Sequence, residues 1–190
     1  MKKLPRSFYN RPTLKVAADL IGKYIVFESP AGTMSARIVE VEAYIGQGDP
    51  ACHAARGKTK RNAVMFGKPG FTYVYFIYGM YYCLNFVTER EGFPAAVLLR
   101  AAEPVEGIDL MKKHSPRQKE HRLLAGPGKF CKTFGLTRTH NGLDLTGHTI
   151  YLEDRQGEPG NVVTTPRIGI NHGAELKWRF LDADSSAVSK

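Results

Sequence analysis

The chain reads as an α+β fold with a mixed, largely antiparallel β-sheet and flanking helices, in a single domain spanning residues 1–190. Three observations carry that reading. Apolar or alternating runs at Lys23–Glu28, Ser35–Tyr44, Phe71–Phe86 and Ala95–Arg100 mostly follow one another through short turns rather than through helical crossovers. Helix signals are confined to a few places. Hydrophobic residues make up 43% of 190 residues, enough for one full core, with no repeat, low-complexity tract or interdomain linker.

The elements follow in order. Asn10 is the expected cap of a first helix, with Pro12 in its first turn, Gly22 at its end and Leu14, Ala17, Ala18 and Ile21 as its apolar stripe. The strands Lys23–Glu28 and Ser35–Tyr44 flank the turn SPAGT. Gly46–Asn62 is a polar connection with a short helix expected after Asp49-Pro50. Gly67–Gly70 turns the chain into a hairpin whose tip falls at Tyr78-Gly79. Ala95–Arg100 has the continuous apolar character of a buried central strand. A helix is expected from Pro104 to about Lys113, then a mobile basic connection over His114–Arg122, then a helix opened by Gly126-Pro127-Gly128 and closed by Gly135. Thr149–Glu153, Val162–Ile170 and Leu176–Leu181 read as short strands.

Lys and Arg number 27 against 18 Asp and Glu, a net charge of +9, which suits a polyanionic partner. The three cysteines are dispersed and form neither a disulfide framework nor a zinc pattern, which points to a reduced, cytoplasmic setting. MKKLPRSFYN has no apolar run behind its lysines, so no signal peptide is expected, and no apolar segment is long enough to span a bilayer.

The segment Phe71–Phe86, FTYVYFIYGMYYCLNF, holds eight aromatic residues among sixteen and no acidic one. Buried tyrosines need partners for their hydroxyls, whereas aromatic faces in a basic setting can stack on bases. Stacking surface and Tyr-rich core both fit. In ARIVEVEAY, period two places Ile38, Glu40, Glu42 and Tyr44 on one strand face. Two buried carboxylates are costly unless paired, and Arg100 is the natural partner of one. A solvated edge, a Glu–Arg staple and a general base held ionised by Arg100 all fit this pattern. Side chains two apart on a strand have Cα atoms about 6.6 Å apart and stand parallel, so they do not straddle a scissile bond. One catalytic and one structural carboxylate is therefore the expectation.

Arg56, Lys58, Lys60 and Arg61, and then Lys112, Lys113, Arg117, Lys119 and Arg122, bracket the aromatic segment in sequence and could track phosphates. Gly128 and Lys129 sit at a helix start that can bind phosphate through backbone N–H groups. The six histidines show no metal-ligand spacing, Cys52-His53 has no further nucleophile pattern, and there is no nucleotide-binding glycine loop.

RSFYNRP, EVEAY, a following histidine, RN, MF, KPG, YVYFIYGMYYCLN, LLRAAEP and GPGKFC occur in this order from about Leu4 to Phe180. Together they resemble the alkyladenine (3-methyladenine) DNA glycosylase family of base-excision repair. The resemblance implies a formyltransferase C-terminal-domain-like fold carrying a protruding DNA-intercalating hairpin. It also implies a monofunctional enzyme that flips 3-methyladenine, other alkylated purines, hypoxanthine or ethenoadenine from duplex DNA and hydrolyses the N-glycosidic bond. By position, Glu42 matches the general base, Arg100 a residue that holds the water, and the Ile168 backbone carbonyl a third contact to it. Tyr44, His53 and Tyr75 match the base pocket, Asn85 the residue that crowds the amino group of guanine, and Tyr78 the side chain that fills the vacated stack. Within the run, Phe71, Phe76 and Phe86 are left as core, with Tyr73, Tyr81 and Tyr82 unassigned. No metal or cofactor is implied. The partner is double-stranded DNA with damaged purines, no membrane is involved, and the protein is expected to be a monomer located with the DNA, in the nucleoid region of a prokaryote or the nucleus of a eukaryote. The segment AARGKTKRN and the short polar end SSAVSK depart from the family pattern. Two rival readings are a non-catalytic module that stacks single strands, and a glycosylase-lyase using a lysine Schiff base.

Overall fold

The computed structural model describes residues 2–46, 48–156 and 160–189. In chain order the elements are β1 (Lys2–Lys3), α1 (Arg6–Tyr9), α2 (Thr13–Leu20), β2 (Tyr24–Ser29), β3 (Gly32–Ile45), β4 (Thr72–Ile77), β5 (Tyr81–Val87), β6 (Ala95–Glu106), α3 (Ile108–His114), α4 (Pro127–Phe134), β7 (Ile150–Asp154), β8 (Val162–Thr165) and β9 (Arg179–Asp182). Short 3-10 turns lie at Ala63–Phe66, Glu120–Arg122 and Arg138–His140. The strands form one open sheet in the order β1-β7-β2-β3-β6-β5-β4, with β9 pairing β3 and β8. Every described pairing is antiparallel.

The long strand β3 organises the site. On one edge it pairs β6 from Ser35 to Ile45. On the other it pairs β2 up to Arg37 and β9 from Glu40 to Glu42, so the sheet forks between them. At the fork the ladder with β6 is irregular: Val39 is skipped on β3, and Arg100 is skipped on β6. A bulge puts two residues on one side of the pleat and re-aims the side chains beyond it. Ala36, Ile38, Val41 and Ala43 consequently enter the main core, together with Val97, Leu99 and Ala102. Val39 and Ala101 pack on Ala187 instead, and Glu40 and Glu42 meet at Arg100. The period-two expectation is corrected here, because Ile38 does not share the face of the two carboxylates.

Against the main core pack Val16, Ala17 and Leu20 of α2, Met111 of α3, and Phe130, Cys131 and Phe134 of α4. The Phe130 and Phe134 rings stack at 4.4 Å. Burying an aromatic or a Leu-sized side chain is worth roughly 1.5–3 kcal/mol each, so this layer fixes α4 beside the hairpin.

Several boundaries differ from the sequence expectation, each for a tertiary reason. Asn10 does not cap the long helix. Its N–H bonds the Arg6 carbonyl at the end of α1, and the Glu89 carboxylate caps Thr13 N–H at 2.7 Å from across the fold. The helix expected from Pro104 starts late, because Pro104 pairs with Ala36 in β6 beside a register shift that tolerates its missing N–H. The chain turns into α3 only at Gly107, at φ +71, where a Cβ would overlap the Thr33 carbonyl. No helix follows Asp49-Pro50: the Asp49 carboxylate accepts from Ala51 N–H at 3.1 Å but is also tied to Arg167, and the segment runs on in turns. Residues 115–122 form turns, and Arg122 donates to the Val188 carbonyl at 3.2 Å. β8 stops at Thr165, where Pro166 lacks a donor, and β9 starts only at Arg179.

Candidate active site

The aromatic hairpin divides. β4 pairs β5 from Thr72↔Phe86 to Ile77↔Tyr81. At its tip Tyr78 (φ 54) and Gly79 (φ 68) both adopt the left-handed conformation of a tight hairpin turn. A tyrosine there is strained, and its side chain is 76% exposed. Phe76 was expected in the core but is 47% exposed, in contact with Tyr82. Phe86 is fully buried and Phe71 partly so. Tyr73 is buried and meets His53 Nδ1 at 3.0 Å, while Tyr81 lies at the surface against α4.

Behind the hairpin lies a cavity of about 530 Å³. Tyr44, His53, Tyr75 and Asn85, the four predicted pocket residues, all line it, as do Tyr78, Arg100, Ile168, Gly128 and Lys129. His53 packs edge-on to Tyr75, with ring centroids 4.5 Å apart. Desolvation, reinforced by the charge of Arg61, lowers the His53 pKa to about 4. Burial raises the pKa values of Tyr44 and Tyr75, so both phenols stay neutral. Asn85 donates Nδ2 to the Tyr73 carbonyl at 3.0 Å across the hairpin, which fixes its amide. The loop carrying His53 is held by Asn62, whose Nδ2 donates to the carbonyls of His53 (2.8 Å) and Gly57 (3.0 Å).

Two buried carboxylates meet Arg100. Glu40 Oε1 accepts from Arg100 Nε (2.9 Å), Arg179 Nε (2.7 Å) and Ser189 Oγ (2.8 Å), and its Oε2 from Ser189 N–H (2.6 Å). Glu42 Oε2 accepts from Tyr44 OH (2.9 Å) and Arg100 Nη1 (3.3 Å), and its Oε1 from Ile168 N–H (2.8 Å). Glu40 takes four donors, two from Ser189 and one each from Arg100 and Arg179, and of these residues only Arg100 lines the cavity, whereas Glu42 takes three donors. Glu42 lies behind the cavity wall, and its three donors all belong to residues of that wall. Burial opposes the Arg100 charge, but Glu42 and Glu40 outweigh it and raise its pKa. Two carboxylates and two guanidiniums form a neutral cluster, which offsets much of its desolvation cost.

The sequence model of the Methylpurine-DNA glycosylase family matches residues 7–186. The chain belongs to the methylpurine-DNA glycosylase family. A relative from Methanocella arvoryzae, named "Putative 3-methyladenine DNA glycosylase", is 52% identical over 195 residues, covering 100% of this chain and 97% of its own. Identically named relatives from Wolbachia pipientis of Culex pipiens and from Alkaliphilus oremlandii are 53% and 44% identical. The first covers 93% of this chain and 88% of its own, the second 99% of each.

For a methylpurine-DNA glycosylase family member, several supporting residues were not foreseen. Arg167 and Asp49 form a fully buried bidentate pair at 2.7 and 2.8 Å. Arg167 also donates to the Ala43 carbonyl at 3.0 Å and lies over the Tyr44 ring at 4.7 Å and the Trp178 ring at 5.1 Å. It thus backs the phenol that reaches Glu42 and anchors the loop whose next residue, Ile168, donates to Glu42. Pairing residues 118 apart leaves no periodic trace. Arg179 and Ser189 were missed for the same reason.

The predicted phosphate residues separate. Arg56 and Lys60 are exposed. Lys58 sits 5.8 Å from the Phe66 ring, and Arg61 lies 5.2 Å from the Tyr75 ring, donating to the Phe76 carbonyl at 3.4 Å. At Gly128 a Cβ would stand 2.8 Å from the Tyr81 ring, so its bare backbone lets the hairpin dock on α4. Among the described residues, no group of three His, Cys, Asp or Glu could hold a metal ion, and no helix is long and apolar enough to cross a membrane.

Proposed function

We propose that this DNA glycosylase flips a damaged purine, such as 3-methyladenine, another alkylated purine, hypoxanthine or ethenoadenine, out of duplex DNA into the cavity and hydrolyses its N-glycosidic bond, leaving an abasic site. The observation that carries the reading is the unequal pair of carboxylates. Glu40 is tied to Arg179 and Ser189, which lie outside the cavity wall, while every donor to Glu42 belongs to a wall residue, Tyr44, Arg100 or Ile168.

Glu42 takes the proton of a water that attacks C1′, and Arg100 with the Ile168 carbonyl helps to seat that water. As the C1′–N bond lengthens, positive charge develops on the sugar, and the anionic side of the buried cluster favours it. Tyr44 and Tyr75 flank the extruded base. Alkylated purines carry positive charge, and cation–π attraction in a desolvated pocket is worth about 2 kcal/mol, more than tenfold in selectivity. A neutral hypoxanthine needs a polar contact instead, which His53 supplies. Asn85 crowds the amino group of guanine and so rejects a normal base. Tyr78 fills the gap in the stack, which limits the cost of extrusion.

The test is single-turnover release of base from a panel of lesion duplexes, with Glu42→Gln beside the parent. Loss of a general base is worth about 10²–10⁴ in rate. Glu42→Gln should lose activity in that range while lesion-duplex affinity persists; release at the parental rate sinks the mechanism. Among the described residues, Lys129 is the one lysine in the cavity wall. A borohydride-trapped adduct at Lys129 would replace hydrolysis by the lyase route; none is expected.

A further inference from the structure

The end of the chain is tied into the catalytic cluster. Ser185 Oγ donates to Glu103 at 2.6 Å, Ala187 is buried against Val39 and Ala101, and Arg122 donates to the Val188 carbonyl at 3.2 Å. These contacts deliver Ser189 into the bulge between β3 and β6. Its Oγ accepts from Arg100 Nη2 at 3.0 Å and lies 3.3 Å from Arg100 Nε, while it donates to Glu40 at 2.8 Å. Ser189 is buried, and it lies beyond the residues matched by the family model, which end at 186.

Five N–H bonds on a rigid plane set what an arginine can do. Glu40 holds Nε–H and Ser189 holds one Nη2–H, so the Nε–Nη2 edge is fixed at two points. Rotation about the side-chain axis is thereby blocked. Nη1 is then the edge presented to Glu42, and Arg100 forms part of the cavity wall. Arg179 balances the charge of Glu40 through Oε1, so the Arg100 charge is not consumed by Glu40 alone. With the Ser189 hydroxyl removed, the guanidinium keeps a single fixed contact on that edge and can swing away from Glu42.

We propose that Ser189 is a positioning residue for Arg100, and that the tail 185–189 is part of the active-site architecture. The proposal rests on the base-excision reading of Glu42 and Arg100. Ser189→Ala in the full chain should lower the single-turnover rate on a hypoxanthine or 3-methyladenine duplex about tenfold, the loss carried by one charge-assisted hydrogen bond, with duplex affinity held within about twofold. Ser189→Thr keeps the hydroxyl and should restore the rate to within about threefold of the parent.

A second readout does not need turnover. The Arg100 Nη2–H protons in ¹⁵N-arginine-labelled protein should exchange with solvent about tenfold faster in Ser189→Ala than in the parent or Ser189→Thr. Parental rate and exchange in Ser189→Ala would overturn the proposal. So would equal losses in the Ala and Thr variants that follow a fall in melting temperature, since that is a packing role. If the parent releases no base from any lesion duplex, the glycosylase reading fails, and Arg100 exchange alone still decides the positioning role.

Discussion

Removing the Asp49 carboxylate tests the support of the site rather than its chemistry. Asp49 and Arg167 have fully buried side chains and share two hydrogen bonds. Asp49 also accepts from Ile45 N–H at 3.2 Å and Ala51 N–H at 3.1 Å, shaping the turn that follows β3. Burial opposes the Arg167 charge, and the Asp49 hydrogen bonds and charge more than offset it, raising the Arg167 pKa. Asp49→Ala therefore leaves a guanidinium that cannot shed its proton in a dry site. Breaking a buried pair on one side costs about 3–5 kcal/mol. At about 2–4 °C per kcal/mol for a chain of this size, the melting temperature should fall by roughly 6–20 °C. The loss should reach the chemistry, because Arg167 backs Tyr44 and leads into Ile168, two of the three donors to Glu42. A displacement of about 1 Å at a reacting group costs on the order of 10² in rate, so excision by the folded variant should fall about 10–100-fold. Asp49→Ala/Arg167→Met removes the orphaned charge. It should recover at least about half the lost stability, yet not the excision rate, because the support of Tyr44 is still missing. Thermal unfolding by circular dichroism and single-turnover excision read the two effects separately. A melting temperature within about 2 °C of the parent for Asp49→Ala, or a double variant no more stable than the single, would refute the reasoning.

Other perturbations address the hairpin and the pocket. Tyr78→Asn replaces a strained left-handed tyrosine with a residue suited to that conformation, and should stabilise the protein by up to about 1 kcal/mol while lowering excision. A destabilised or fully active variant would remove either the strain or the plug. The His53 pKa is lowered from 6.5 to about 4, so unfolded chains bind more protons than folded ones between those values, and His53 should favour unfolding as pH falls through that window. Imidazole chemical shifts followed across pH check this, and a midpoint at about 6 or above would contradict the desolvation of His53 in the pocket. Gly128→Ala should displace Tyr81 from α4 and loosen the hairpin, seen as faster amide exchange across β4 and β5. If exchange there stays parental while DNA binding falls, Gly128 serves phosphate instead.

The sequence by itself determined the α+β class, most of the strands, the α4 boundaries and the hairpin tip, because each depends on local rules: apolar runs, glycine at a left-handed position, proline at a helix start. The family resemblance carried by the motifs likewise grouped Tyr44, His53, Tyr75 and Asn85, and all four line one cavity. Local rules failed where distant groups overrode them. Glu89 caps α2 from another part of the fold, Pro104 stays in a strand beside a register shift, and a bulge at Val39 separates Ile38 from Glu40. Only the tertiary structure distinguished the two carboxylates. EVE presents them alike, and the difference lies in donors from Arg179 and Ser189 at one and from Tyr44 and Ile168 at the other. Except for Tyr44, those donors are over a hundred residues away in the chain, at separations of 126 to 149. Hydrogen bonds between such residues form only once the sheet has closed around them, so no spacing along the chain can announce them.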